Sequence, residues 1–175
     1  MEKTAGKTSD RNIFLIGFMG SGKSTVAAGL ERLLGMKRVE MDQQIVKTQG
    51  MEITEIFARY GEEFFRDLES RVTEELSRER GRVVSCGGGV VLRQANVERM
   101  KENGSIVLLK ARPETIYERV KDSTERPILN ADMSVAHIRE LMEKRSALYE
   151  AAADLAVDTD GRSAEEICRE IADRL

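Results

Sequence analysis

The stretch IFLIGFMGSGKST, residues 13–25, predicts the fold of this chain. Its first four residues form an apolar run that ends in glycine, which is typical of a buried parallel strand. Residues 17–24 match the pattern G-x-x-x-x-G-K-[ST], and apolar residues at helical spacing follow as far as Gly35, a predicted C-cap. A loop in this place, between a strand and a helix, turns consecutive backbone amides towards one cavity and binds phosphate groups.

The residue types of this loop indicate how a nucleotide is held. Lys23 is expected to reach the β- and γ-phosphates, and the hydroxyl of Ser24 is expected to ligate Mg²⁺, the one cofactor that we expect. The predicted nucleotide contacts are Gly20, Ser21, Gly22, Lys23, Ser24 and Thr25. A glycine-rich turn that carries Lys and Ser by coincidence is the alternative, and the strand–loop–helix context disfavours it.

Strand and helix patterns alternate along the whole chain, which predicts an α/β fold. We expect a three-layer P-loop fold of the nucleoside-monophosphate-kinase type, with a five-stranded parallel sheet and helices on both faces. The predicted strands are 13–16, 39–42, 83–86, 106–109 and 155–157. The predicted helices are 23–34, 42–48, 52–60, 62–80, 93–102, one that Pro113 begins, 135–149, and one that begins at the capping box of residues 163–166.

Composition limits the classes of function. The 175 residues carry 28 Lys+Arg and 31 Asp+Glu, a net charge of −3, which argues against a nucleic-acid partner. We expect no membrane partner, because no apolar run is long enough to span a bilayer. The polar first residues lack the apolar stretch of a secretory signal, and two cysteines with one histidine exclude a zinc cluster. The prediction is a cytoplasmic monomer, with a disordered tail at 1–10 and a single domain at 11–175.

Acidic residues follow the second predicted strand. Glu40 and Asp42 alternate with apolar residues, so both are expected on one face at the carboxyl end of the strand, where ligands bind in open α/β sheets. One carboxylate could accept a proton from an acceptor hydroxyl, and the other could order water on Mg²⁺. The alternative is a solvated strand end with Asp42 as a helix N-cap.

Two arginines are candidates for holding an anion. Arg66 borders the apolar stripe of its helix and lies three residues before Glu69, so it forms either an ordinary surface pair or a two-pronged grip on a carboxylate. Arg145 lies in the middle of an apolar stripe, where a cation needs a partner or a cavity unless it reaches solvent.

Two loops complete the candidate site. The glycines of residues 87–89 follow a strand and permit close approach of a ligand, or serve only as a turn, and Ser85 could touch a Mg²⁺-bound water. Residues 121–133 are a predicted lid, on which Arg126 could neutralise phosphate charge or could be an ordinary exposed arginine. The acceptor-binding region is expected at about 42–71.

Taken together, these stretches resemble the shikimate kinases. The matching segments are GFMGSGKST at 17–25, the acid pair ending in Asp42, FFRDLE at 64–69, GGG at 87–89, RPIL at 126–129 and R-x-x-LY at 145–149. The resemblance implies transfer of the ATP γ-phosphoryl group to the 3-hydroxyl of shikimate. It implies that Asp42 is the base and that Lys23 and Arg126 contact phosphates. It also implies that Arg66 and Arg145 hold the shikimate carboxylate and that Gly88 and Gly89 line the ring pocket.

One residue departs from the family pattern, and one set of contacts stays open. The first acid of the pair is often Asp in that family and is Glu40 here, and the adenine contacts are assigned by position only, to Arg119 and the loop 159–162. The rival interpretations are a kinase that acts on gluconate or on a nucleoside monophosphate, and a nucleotide-dependent switch. The switch is disfavoured because the chain has no N-K-x-D sequence.

Overall fold

The computed structural model describes residues 10–122 and 134–175. In this part of the chain, the strands are β1 (Asn12–Ile16), β2 (Lys37–Glu40), β3 (Arg82–Ser85), β4 (Gly104–Lys110) and β5 (Leu155–Asp158). The helices are α1 (Lys23–Leu34), α2 (Met41–Gln49), α3 (Ile53–Ser77), α4 (Gln94–Asn103), α5 (Pro113–Val120), α6 (Val135–Ala152) and α7 (Ala164–Arg174). A short 3₁₀ turn, Val90–Leu92, precedes α4.

The strands form one parallel sheet in the order β2-β3-β1-β4-β5. All five residues of β1 are buried, because this strand is central and helices cover both faces of the sheet. Alternate residues of β1 therefore enter two different cores: Phe14 packs with helices α2 to α6, and Leu15 packs with α1 and α7. The predicted α/β fold with a five-stranded parallel sheet is confirmed.

Several local predictions are also confirmed. Gly35 ends α1 in the left-handed conformation that glycine adopts without strain, with φ of 67°. Pro113 occupies the first turn of α5, and Ser163 and Glu166 form the capping box of α7. Gly61, with φ of 83° and ψ of 175°, breaks α3 into the two helical parts that the pattern predicts, although the second part ends at Ser77 rather than near residue 80.

The predicted end of the second strand is wrong. β2 ends at Glu40, and Met41 and Asp42 already belong to the first turn of α2. An Asp in the first turn of a helix is favoured by the partial positive charge of the helix N-terminus, which outweighs the short alternating pattern. Asp42 is therefore neither a strand residue nor the N-cap, which is Glu40.

Some predictions fall on parts of the chain that the structure does not describe. Residues 1–9 of the predicted tail and residues 123–133 of the predicted lid, including Arg126, lie outside the described residues. Within 10–122 and 134–175, none of the helices combines the length and hydropathy that a bilayer crossing requires.

A buried asparagine joins three elements at the amino end of the sheet. The Asn12 side-chain amide donates to the carbonyls of Leu76 and Glu79, at 3.1 and 2.9 Å, and its oxygen accepts from the Arg82 amide at 3.0 Å. This side chain therefore adds hydrogen bonds to backbone groups at the end of α3 and the start of β3, where the Leu76 carbonyl also accepts from the Glu79 amide.

We expect Asn12→Ala to lower the free energy of unfolding by about 2–4 kcal/mol, because it removes the hydrogen bonds that this buried side chain makes to three backbone groups. The measurement is urea denaturation followed by circular dichroism. Gln94→Ala, which removes an exposed amide from α4, is the matched control and should change stability by less than about 0.5 kcal/mol. Equal effects of the two substitutions would contradict this role for Asn12.

Candidate active site

The loop between β1 and α1 bends sharply at three glycines. Gly17, Gly20 and Gly22 have φ of 146°, 78° and 98°, which side-chain-bearing residues rarely adopt. Gly22 is the N-cap of α1, so the first amides of this helix face the same side as the loop. The loop thus leads directly into the N-terminus of α1, the arrangement in which backbone amides bind phosphate groups.

The Lys23 ammonium lies inside this loop. The side chain is buried, and its Nζ donates to the carbonyl oxygens of Gly17 at 2.7 Å and Phe18 at 3.0 Å. The cation is thus held at the amino end of α1 by two backbone oxygens of the loop itself. The contact of Lys23 with the β- and γ-phosphates stays a prediction.

Ser24, Glu40 and Ser85 bring three side-chain oxygens together beside the loop. The Ser24 hydroxyl donates to Oε2 of Glu40 at 2.9 Å and lies 3.5 Å from the Ser85 hydroxyl. Oε1 of Glu40 is buried, lies 4.0 Å from the Arg38 guanidinium and makes no hydrogen bond within the described part of the chain. Hydroxyl and carboxylate oxygens are the donors that Mg²⁺ prefers, so this group fits that ion.

A cleft of about 270 Å³ lies between the loop, α2 and the turn after β3. This turn consists of three glycines, residues 87–89, and is called the glycine turn. The lining of the cleft includes Gly20, Gly22, Lys23, Ser24 and Thr25 from the loop side, and Glu40, Asp42, Ser85, Cys86, Gly87, Gly88 and Arg119 from the other elements. Asp42 and Glu40 thus share the cleft as predicted, although they come from a helix and a strand end. The side chain of Ser21 is buried behind the loop and lines a different cavity.

Arg66 lies buried on α3 with two acidic partners. Its guanidinium donates to Glu69 at 2.9 Å and to Glu62 at 3.1 Å, and it lies 5.3 Å from the centre of the Phe65 ring. The predicted pair with Glu69 exists, but it is not a surface pair, since the Glu69 side chain is only 1% exposed. Nε of Arg66 is buried and makes no hydrogen bond within the described residues.

Burial and charge act in opposite directions on this pair. Burial is the largest single influence on the Arg66 guanidinium and by itself would lower its pKa, but the charges and hydrogen bonds of Glu69 and Glu62 together outweigh it and the pKa is raised. Burial also raises the pKa of the Glu69 carboxyl, and Arg66 opposes that shift. The two groups therefore depend on each other to remain charged inside the protein.

The glycine turn brings Arg66 and Arg145 to the same place. A Cβ on Gly89 would lie 2.2 Å from Nη1 of Arg66, so the guanidinium rests directly on the backbone there. Nη1 of Arg145 donates to the Gly88 carbonyl at 3.4 Å, and its guanidinium lies 5.9 Å from the centre of the Phe18 ring. Arg145 does not reach solvent as a surface arginine would, because its side chain is buried.

Sequence reasoning indicated the three glycines of this turn but missed the side chains that hold it. A Cβ on Gly87 would lie 2.4 Å from Oε2 of Glu69. Tyr149 donates its hydroxyl to the Gly88 carbonyl, and burial raises the pKa of that hydroxyl and keeps it a donor. Glu62 could have been found by its i,i+4 spacing from Arg66, whereas nothing local relates Tyr149 to Gly88.

The two places suggested for adenine contacts differ in position. Nη1 of Arg119 donates to the Gly20 carbonyl at 2.8 Å, and this side chain lines the cleft beside the loop. In the loop 159–162, Thr159 donates to the Lys110 carbonyl at 2.8 Å and Arg162 contacts Asp158 and Glu170. This loop is not part of the cleft lining described above.

Comparison with known proteins agrees with this geometry. The family model described as shikimate kinase matches residues 19–175. The chain belongs to the shikimate kinase family. It is 43% identical over 161 residues to the shikimate kinase of Thermodesulfovibrio yellowstonii, covering 92% of each chain. It is 45% identical to that of Persephonella marina, covering 94% of this chain and 99% of the relative.

Solved structures of this family share the fold. The shikimate kinase from Acinetobacter baumannii, in complex with shikimate, has a TM-score of 0.90 and 32% identity over 94% of this chain and 92% of its own. A gluconokinase from Sinorhizobium meliloti has a TM-score of 0.54 and 19% identity over 93% of this chain and 89% of its own, which is a likeness of fold alone.

The burial of the Arg66–Glu69 ion pair leads to a prediction about the stability of this shikimate kinase family member. We expect Glu69→Ala to lower the free energy of unfolding by about 3 kcal/mol or more, because it leaves the Arg66 charge buried without its principal partner. Glu62→Ala removes the other carboxylate from the same guanidinium, and because its side chain is 52% exposed we expect a loss of about 1 kcal/mol or less. Chemical denaturation measures both, and equal losses would contradict the difference in burial.

Proposed function

We propose that this protein transfers the γ-phosphoryl group of ATP to the 3-hydroxyl of shikimate, giving shikimate 3-phosphate and ADP. One observation carries the proposal: two buried arginines contact the glycine turn, and Gly87 and Gly88 of this turn line a cleft together with the phosphate-binding loop and Asp42. A small acceptor with both a carboxylate and a hydroxyl suits this arrangement, because the arginines can hold the acid while the alcohol faces the loop. The family membership supports the same acceptor.

In this proposal, Arg66 and Arg145 hold the shikimate carboxylate. Nε of Arg66 is a buried donor without a hydrogen bond in the described part of the chain, so an incoming oxygen would satisfy it. The 3.4 Å bond from Arg145 to the Gly88 carbonyl is long enough to be exchanged for a stronger charged acceptor. Gly88 and Gly89 are the proposed lining of the ring pocket, since a Cβ on Gly89 would displace the Arg66 guanidinium and one on Gly88 would lie 3.8 Å from Nη1 of Arg145.

Asp42 is the proposed base. It lies in the first turn of α2 and lines the cleft opposite the phosphate-binding loop, so its carboxylate can contact the ring hydroxyls and accept the proton of the attacking one. The reaction then depends mainly on holding the hydroxyl in line with the terminal phosphorus, as is general for phosphoryl transfer.

The nucleotide side uses backbone and cations. We propose that Gly20, Ser21, Gly22, Lys23, Ser24 and Thr25 bind the phosphates of ATP through the loop amides, with the Lys23 ammonium on the β- and γ-phosphates. Arg119, which lines the cleft, is placed to contact the nucleotide. Arg126 lies outside the described residues, and its proposed contact with the phosphates rests on its motif.

Mg²⁺ is the proposed cofactor. Ser24 would ligate it, and Glu40 and Ser85 would hold its water ligands, as the grouping of their oxygens supports. The ion would supply charge neutralisation on the transferred phosphoryl group. In this chain the longer side chain of Glu40 reaches the Ser24 hydroxyl directly, where the family often has Asp.

We further propose that the protein is a cytoplasmic monomer with no nucleic-acid or membrane partner. The net charge of −3 supports the first exclusion. Cys86 and Cys168 are both buried and unpaired, as is usual in a reducing compartment. Burial raises the pKa of both thiols, which supports the view that neither takes part in the chemistry.

The acceptor is tested by nucleotide turnover. Purified full-length protein with ATP and Mg²⁺ is expected to release ADP rapidly with shikimate and slowly with gluconate, nucleoside monophosphates or no acceptor. A coupled assay measures ADP, and phosphorus NMR identifies the phosphorylated product. Faster turnover with gluconate or a nucleoside monophosphate would reject the proposal, and acceptor-independent turnover would indicate a nucleotide-dependent switch.

The base is tested by Asp42→Asn. Loss of the proton acceptor is expected to lower kcat about 10²- to 10⁴-fold while ATP binding, measured by calorimetry, stays unchanged. Asp173→Asn removes a carboxylate from the exposed face of α7 and is the matched control, with wild-type turnover expected. A normal kcat for Asp42→Asn would exclude this residue as the base.

A further inference from the structure

The middle residue of the glycine turn is held differently from its neighbours. The Gly87 and Gly89 carbonyls accept backbone hydrogen bonds from Val90 and Leu92, both at 3.1 Å, as part of the 3₁₀ turn. The Gly88 carbonyl instead accepts bonds from two side chains of α6, Tyr149 and Arg145. The position of this peptide therefore depends on a distant helix rather than on its own local structure.

The two donors on α6 are not equivalent. The Arg145 bond to Gly88 is 3.4 Å long, and in the proposed function that guanidinium turns to a carboxylate. The Tyr149 hydroxyl bond to the same oxygen is the shorter one. When Arg145 binds substrate, Tyr149 is the side chain that still holds the carbonyl.

The Tyr149 ring is anchored in the core. The residue, on α6, is buried in the core and also lines a cavity of about 340 Å³ together with Phe18, Leu108 and Met142. Its hydroxyl bond therefore joins the packed face of α6 to the Gly88 carbonyl.

We propose that Tyr149 is a positioning residue for the acceptor: it holds the Gly88 carbonyl so that Arg145 can leave it for the substrate carboxylate. This inference rests on the proposed function, because it concerns the acceptor side of that site. Its structural part, the fixing of the glycine turn by a hydroxyl on α6, is independent of which acceptor is used.

The test is Tyr149→Phe, which removes one oxygen and keeps the ring. Without the hydroxyl, Gly88 and the substrate compete for Arg145, so the KM for shikimate is expected to rise about 3- to 10-fold, the effect of one lost hydrogen bond. The KM for ATP is expected to stay unchanged, because the nucleotide loop is held by β1 and α1. Tyr117→Phe removes the same atom from α5, outside the residues that line the cleft, and is the matched control with wild-type constants.

A second measurement tests whether the Tyr149 hydroxyl fixes the glycine turn, independently of overall protein stability and of which acceptor is phosphorylated. Hydrogen–deuterium exchange of peptides covering residues 86–93 is expected to be faster in Tyr149→Phe than in the wild type, with the melting temperature nearly unchanged. Unchanged exchange would overturn the proposal, and so would an unchanged KM for shikimate or an equal rise in both KM values. If the wild type does not phosphorylate shikimate, the proposed function fails, while the exchange result still decides whether the hydroxyl fixes the turn.

Discussion

Close approach of charged side chains to a backbone without Cβ atoms is the constraint on which this site depends. A Cβ on Gly87 would meet the Glu69 carboxylate at 2.4 Å, and one on Gly89 would meet the Arg66 guanidinium at 2.2 Å. The glycine turn follows the carboxyl end of β3. Because β3 pairs in parallel with β1, this turn lies next to the phosphate-binding loop that follows β1. The glycine turn therefore contacts the two buried arginines and also lies beside the phosphate-binding loop.

Burying a charge is unfavourable in free energy, and the two buried arginines, Arg66 and Arg145, are stabilised in different ways. Arg66 shares a buried pair with Glu69, whereas Arg145 has a backbone carbonyl and the face of the Phe18 ring. The second arrangement leaves more of the positive charge uncompensated by carboxylates. A cation with fewer carboxylate partners gains more from an incoming anion than a fully paired one, in agreement with the role proposed for Arg145.

Sequence reasoning was most accurate where chemistry and short-range pattern coincide. The phosphate-binding loop, the C-cap at Gly35, the capping box at Ser163 and the break at Gly61 each follow from local backbone preferences. The end of β2 was assigned wrongly, because four alternating residues are too few to distinguish a strand from the first turn of a helix. The correction moves Asp42 onto α2 while leaving it in the same cleft.

Spacing along the chain is enough to predict the class of fold and the phosphate-binding loop, because both follow from local patterns. Whether the Arg66 pair is buried or at the surface depends on what packs around α3, so the folded chain is needed to show that it is buried. The folded chain also shows the partner of Tyr149, which lies 61 residues from Gly88 along the chain. A contact between a side chain and a backbone carbonyl leaves no periodic trace in the sequence, so only the folded chain reveals it.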